Sequence, residues 1–97
     1  MSDRAEPTGY FRLEVAAALV RLPPARLRWY VRAGLVRPVR HEGRLALFGD
    51  VELARLRKIR RLSEDLGLNA AGVEVALHLL DEIEALRAAL EKRGKAC

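Results

Sequence analysis

Apolar residues recur at helical spacing in the first third of the chain, and they predict two short helices. The first fits Leu13–Val20 and ends before Pro23-Pro24, because a proline pair cannot lie inside a helix. The second proline suits the first turn of a new helix, which we expect to reach about Ala33 and to end at Gly34 in a left-handed conformation. The side chains predicted to face inward are Val15, Ala16 and Leu19 in the first helix and Leu27, Tyr30 and Val31 in the second. Two such helices form a helix-turn-helix candidate, although any antiparallel helix pair has the same spacing.

The next stretch changes to a strand-like alternation over residues 39–48. It predicts a small β-hairpin that turns at Glu42-Gly43. The alternation places its side chains on two faces, Leu45 with Leu47 and Ala46 with Phe48. A third helix is then predicted from Asp50, as the N-cap, to about Asp65, with Gly67 ending it. Its inward positions are Leu53, Leu56, Ile59, Leu62 and Leu66, and its outward ones are Arg55, Arg57, Lys58, Arg60 and Arg61.

The last predicted helix is the longest, from Ala70 to about Lys92, with Asn69 as its cap and Gly94 closing it. Four of its apolar residues have the 4, 3, 4 spacing of a heptad repeat, and we call them the seam: Leu79, Ile83, Leu86 and Leu90. An adjoining apolar stripe is formed by Val73, Leu77 and Leu80. Because two apolar faces need more cover than one small domain provides, we expect a homodimer through the seam. The alternative is a helix that folds back on its own domain.

Length and composition fit this mainly α architecture. The 97 residues suffice for one domain, which we divide into a disordered leader at 1–9, a winged helix-turn-helix at 10–68 and a C-terminal helix at 69–93. No apolar run approaches the roughly 18 residues of a membrane span, and no signal segment opens the chain. The single cysteine, Cys97, cannot form an internal disulfide. We therefore expect a cytoplasmic protein.

The charge is unevenly distributed along the chain. The total is +5, and 15 of the 18 basic residues are arginine. Residues 1–48 carry nine basic and four acidic side chains (+5), residues 49–65 five and four (+1), and residues 66–97 four and five (−1). A cationic front favours a polyanionic partner, and a solvated arginine-rich surface is the alternative.

Catalytic chemistry has little support in the sequence. Neither His41 nor His78 has a partner at metal-ligand spacing, Ser2 and Ser63 have no apparent base, and no glycine-rich phosphate loop is present. We expect no enzyme activity, metal or cofactor.

Two kinds of binding remain. Arginines of the second helix and the hairpin suit nucleic acid: Arg26, Arg28, Arg32, Arg37, Arg40 and Arg44. Because the helix has no Asn, Gln, Ser or Thr, phosphate contact is better supported than base reading. Alternatively, acidic side chains of the last helix could meet a basic protein partner: Glu74, Asp81, Glu82 and Glu84.

The stretches Leu13-Glu-Val-Ala-Ala and Leu27-Arg-Trp-Tyr-Val-Arg-Ala-Gly-Leu-Val-Arg-Pro38 resemble the MerR-type winged helix-turn-helix. Two branches of that superfamily compete. Heat-shock repressors of the HspR type resemble the first 48 residues and share Gly67-Leu-Asn-Ala-Ala-Gly72. Chaperone modulators of the CbpM type resemble the second half, from Leu68-Asn-Ala-Ala-Gly-Val to Leu86, which is the more specific match.

The two branches imply different functions. A modulator binds the J-domain of a DnaJ- or CbpA-like co-chaperone and regulates or assembles its complex with DnaK. We expect that interface on the acidic and apolar face of the last helix, at Glu74, Leu77, His78, Asp81 and Glu82, with Leu80 beside them. A repressor binds operator DNA of chaperone genes as a dimer, here through Arg26, Arg28, Arg32, Arg40 and Arg44.

Two departures from the DNA-binding pattern weigh in the choice between the branches. Relatives that bind DNA usually carry arginine where Ala46 stands, and their helix-turn-helix often has glycine where Arg21 stands. The sequence therefore favours the modulator, with the repressor as the alternative.

Overall fold

Four helices and three short strands make up the described chain, which is residues 9–96 of a computed structural model. The predicted leader lies outside the described residues except for Gly9, as does Cys97. The elements are β1 (Phe11–Arg12), α1 (Leu13–Val20), α2 (Pro24–Arg32), β2 (Arg40–Glu42), β3 (Leu45–Phe48), α3 (Asp50–Arg60), a π-helical turn (Arg61–Asp65) and α4 (Ala70–Ala96). This is the mainly α, winged helix-turn-helix architecture that the sequence predicts.

Helix α1 has the predicted bounds but a different buried face. Val15 and Leu19 are 46% and 48% exposed, so the prediction that they face inward was wrong. The buried positions are instead Ala16, Ala17 and Val20, whose spacing defines the adjacent stripe of the helix. Since short alanine side chains face its neighbours, α1 can pack closely on α2 and α3.

The turn of the helix-turn-helix begins at Arg21, which has a left-handed conformation with φ of 62°. Its amide donates to the carbonyl of Ala18 at 3.2 Å, and the Leu22 amide donates to Ala17 at 2.9 Å. These two bonds satisfy the last carbonyls of α1 in a Schellman motif. Helix α2 then begins with Pro24 in its first turn, as predicted.

Helix α2 ends in a second Schellman motif, at the predicted glycine. Gly34 has φ of 80°, its amide donates to Val31, and the Leu35 amide donates to Tyr30 at 3.0 Å. Leu27 and Tyr30 are buried as expected, and Val31 is half-buried. The exposed face of α2 is therefore held in a fixed orientation by both of its ends.

The predicted hairpin forms and gains a third strand. The sheet is antiparallel in the order β1-β3-β2, with Phe11 opposite Phe48 and Arg40 opposite Leu47. Gly43 supplies the positive φ of the hairpin turn, at 61°. The side chains alternate as predicted, but the buried ones are consecutive, Leu47 and Phe48, because β1 and the helices cover this end of β3.

The N-cap of helix α3 lies one residue before the predicted one. Gly49 is the N-cap and Asp50 the first helical residue; the Glu52 carboxylate accepts a hydrogen bond from the Gly49 amide at 2.8 Å. The three apolar positions up to Ile59 are buried, whereas Leu62 is half-buried and Leu66 is exposed. Leu66 follows the π-helical turn, which ends at Asp65, so the helical spacing that predicted it to face inward does not extend to it.

Some α3 side chains predicted to face outward are partly covered. Arg57 and Arg61 are exposed, but Arg55, Lys58 and Arg60 are half-buried. Arg55 has a structural role, because its Nε donates to the Leu35 carbonyl at 2.6 Å.

The chain divides into two compact units, one that ends at Arg61 and one that begins at Leu62. The core of the first unit is formed by side chains of α1, α2, β3, α3 and the loops that follow α1 and α2. These residues are Ala16, Ala17, Val20, Leu22, Leu27, Tyr30, Leu35, Val36, Leu47, Phe48, Leu53, Leu56 and Ile59.

The second unit contains α4, which is capped as predicted. The Asn69 Oδ1 accepts a hydrogen bond from the Gly72 amide at 2.8 Å. The helix does not end before Gly94 but continues to Ala96, because a glycine weakens a helix without removing its hydrogen bonds. Val73 and Leu77 are buried, and Leu80 is half-buried.

Candidate nucleic-acid interface

Helix α2 carries three exposed arginines. Arg28 and Arg32 are four residues apart, which places them about one helical turn apart on the same face, whereas Arg26 lies roughly 160° around the helix axis from Arg28. All three are exposed, while Leu27 and Tyr30 fix the opposite side of the helix in the core. The helix therefore presents cationic side chains on a rigidly held surface.

The hairpin adds two more exposed arginines. Arg44 directly follows Gly43 in the turn, and Arg40 lies on β2. The guanidinium of Arg40 lies 5.4 Å from the centroid of the Tyr10 ring, and its Nη2 is 3.8 Å from the Glu42 Oε2. We call the α2 and hairpin arginines the arginine face: Arg26, Arg28, Arg32, Arg40 and Arg44. Arg37, in the loop between α2 and β2, is exposed as well.

The interface has components that the sequence analysis missed. Glu14 of α1 lies 3.8 Å from Arg28, measured between Oε2 and Nη2. Trp29 is exposed beside Arg28 and meets the Tyr30 ring edge-on, with 5.7 Å between the ring centroids. An aromatic residue flanked by arginine was a signal available in the sequence, whereas the approach of Glu14 to Arg28 depends on how α1 packs on α2.

Helix α4 places the residues predicted for partner binding on different sides. Glu74, His78, Asp81 and Glu82 are exposed, and His78 Nε2 lies 3.4 Å from Glu82 Oε2. We call these four residues the acidic face. Leu77 is only 1% exposed, so its side chain does not belong to that surface.

The seam residues are accessible along α4. Their exposed fractions are 54% for Leu79, 44% for Ile83, 63% for Leu86 and 65% for Leu90. Four large apolar side chains in one stripe are a typical interface for a second helix.

The described part of the chain contains neither a grouped set of metal ligands nor a helix that could span a membrane. Among residues 9–96, no three His, Cys, Asp or Glu side chains are grouped so that they could hold a metal ion. Over the same residues, none of the helices is both long and apolar enough to cross a membrane.

A helix-turn-helix with a basic second helix and a β-hairpin wing defines a class of protein, the winged helix-turn-helix regulators. The comparison with known families places the chain within that class. Residues 13–93 match the MerR helix-turn-helix family of regulatory proteins, and the chain belongs to this family. The resemblance inferred from the sequence is thereby confirmed.

One known protein is similar to most of the chain. The chain is 37% identical over 86 residues to a protein of Streptomyces coelicolor described as the heat shock protein HspR. The match covers 89% of this chain and 57% of that relative, so the chain spans little more than half of its length. This similarity supports the heat-shock repressor type better than the chaperone modulator. The sequence alone favoured the modulator and gave the repressor as the alternative.

Proposed function

We propose that this chain is a DNA-binding regulator of chaperone genes, similar to heat-shock repressors, and that it acts in the cytoplasm as a homodimer. The observation that carries the proposal is the arginine face. Five arginines are exposed on the two elements that a winged helix-turn-helix brings to DNA, the second helix and the wing.

The chemistry of these side chains suits a duplex. A guanidinium is always charged and offers five donors in a planar fork, which matches both phosphate oxygens and the O6 and N7 atoms of guanine. Arg28 and Arg32 point from one face of α2 and are suited to the major groove. Arg44 in the hairpin turn is suited to the flanking backbone.

A dimer would place two such domains on one duplex. The seam offers the surface for pairing, and its four side chains retain roughly half their area for burial by a second copy. Because two-fold symmetric proteins bind palindromic sites, we expect half-sites separated by a whole number of helical turns, each about 10 base pairs.

The test is the affinity for promoter DNA of the chaperone operon in the chain's own organism, compared with random DNA of equal length. We expect preferential binding to the promoter, with log K falling linearly with log salt concentration. Weak, sequence-independent binding at physiological salt would contradict the proposal.

A second candidate is the chaperone modulator favoured by the sequence, which would bind a DnaJ-like co-chaperone and thereby act on DnaK. The observation in its favour is the acidic face, which is exposed on α4 and suits a basic partner helix. The interface would exclude Leu77 because that side chain is buried.

Charge reversal distinguishes this candidate. The double variant Asp81→Lys/Glu82→Lys should reduce J-domain binding by about 2 kcal/mol or more for each buried charge pair that is lost. Promoter binding should be retained, since these residues do not belong to the arginine face. An unchanged affinity for the J-domain would remove the acidic face as its site.

A further inference from the structure

Two carboxylates lie within the arginine face, and each is close to one of its arginines. Glu14 is 3.8 Å from Arg28, and Glu42 is 3.8 Å from Arg40. Arg28 and Arg40 therefore have their charge locally balanced.

From these pairs we infer that Glu14 and Glu42 determine DNA specificity by suppressing sequence-independent binding. The inference deepens the proposed function and rests on it. On random DNA, the negative charge of each carboxylate offsets the positive charge of its arginine, so neither pair adds net charge to the interface. On the target site, the same arginines contact DNA, because well-placed bases and phosphates compensate for the loss of the carboxylate.

The geometry of the pairs supports exchange rather than permanent pairing. Both separations exceed those of a strong charge-assisted hydrogen bond, which are about 2.7–2.9 Å. The side chains are 52% exposed for Arg28 and 64% for Glu14, and 53% for Arg40 and 61% for Glu42. Exposed pairs of this kind stabilise a protein little, so a guanidinium can leave one at low cost.

The two arginines are also positioned differently. The Arg40 guanidinium also lies 5.4 Å from the centroid of the Tyr10 ring, so it has a cation–π contact in addition to its ion pair with Glu42. Arg28 lies on the same face of α2 as Arg32. Its ion-pair partner, Glu14, belongs to α1. The suppressing effect therefore covers both elements that would meet DNA.

The size of the effect follows from counterion release. Each phosphate contact changes the slope of log K against log salt by about 0.9, and this corresponds to roughly fivefold in affinity at about 0.15 M salt. Because non-specific binding consists almost entirely of this electrostatic contribution, releasing one arginine should strengthen it by that factor. Target binding should gain less, since the arginine already contacts that DNA.

The experiment measures the affinity of the whole chain for a random-sequence DNA duplex and for the chaperone promoter, at salt concentrations from about 50 to 200 mM. The variants are Glu14→Gln and Glu42→Gln, with Glu91→Gln on α4 as a control that changes the net charge equally. We expect each of the first two to bind random DNA roughly fivefold more tightly, with a slope steeper by about 0.9, and the promoter-to-random ratio to fall. The control should resemble the wild type.

A double variant tests whether the effect passes through the paired arginine. In Glu14→Gln/Arg28→Gln, random-DNA binding should return to the wild-type level. Equal gains for Glu14→Gln and Glu91→Gln would overturn the inference, since net charge alone would then explain them. A loss of binding in Glu14→Gln, with circular dichroism showing an intact fold, would overturn it as well. If neither the wild type nor any variant binds DNA, the proposed function itself fails.

Discussion

Replacing Arg21 by glycine should stabilise the first unit. Arg21 occupies a left-handed conformation, with φ of 62°, at the end of α1. For a residue with a β-carbon this conformation costs about 1–2 kcal/mol. Glycine avoids that cost but loses about 0.5–1 kcal/mol more backbone entropy on folding. The expected net gain in the free energy of unfolding is about 0.5–1 kcal/mol.

Thermal and urea unfolding measure this gain. A gain of that size raises Tm by about 2–8 °C in a domain of this length. Arg21→Ala is the matched control, because it removes the same charge but keeps the β-carbon and should give no comparable gain. Protein concentration must be the same for all variants, since dimerisation shifts apparent stability. If the glycine variant is no more stable than the alanine variant, the left-handed residue does not limit the stability of the turn.

The remaining predictions concern the cap, the core and the seam. Asn69→Ala removes the cap of α4 and should cost about 0.5–2 kcal/mol in urea unfolding, whereas no loss would show that the cap is dispensable. Leu56→Ala should lower the free energy of unfolding by about 2–5 kcal/mol because the side chain is fully buried. The control Val51→Ala, at an exposed position, should lower it by about 0.5 kcal/mol or less. Similar losses for both variants would refute the assigned core. Ile83→Asp should give monomers in analytical ultracentrifugation, whereas Ala88→Asp, off the seam, should remain dimeric; an Ile83→Asp dimer would contradict the proposed interface.

The sequence predicted the elements better than it predicted their faces. Periodicity and prolines located α1 and α2 to within a residue because capping and chain breaking are local effects. Val15 and Leu19 have the same spacing as the stripe that is buried, so the pattern alone could not show which apolar stripe of α1 meets α2 and α3. That choice depends on the tertiary arrangement.

Strand β1 and the π-helical turn lay beyond sequence reasoning for a similar reason. Two residues are too few to show an alternation, and β1 exists because Phe11 pairs with Phe48 far along the chain. The helical structure ends at Asp65, so Leu66 is exposed although its spacing continues the apolar stripe.

The candidate site was predictable only in part. The basic composition of α2 and the hairpin identified the arginines, since charge is a property of the sequence itself. The ion pair between Glu14 and Arg28 requires α1 to lie beside α2. The resemblance identified the superfamily, and the comparison with a curated relative shifted the preferred branch from the chaperone modulator to the heat-shock regulator.

One affinity measurement at physiological salt shows whether the arginine face binds the chaperone promoter. The variant Arg28→Gln/Arg32→Gln is compared with Arg87→Gln/Lys92→Gln, which removes the same charge from α4. We expect at least about a tenfold loss of affinity for the first variant, because each base contact contributes about 1–3 kcal/mol, and near-wild-type affinity for the second. Equal affinities of the two variants for the promoter would show that the arginine face does not bind it.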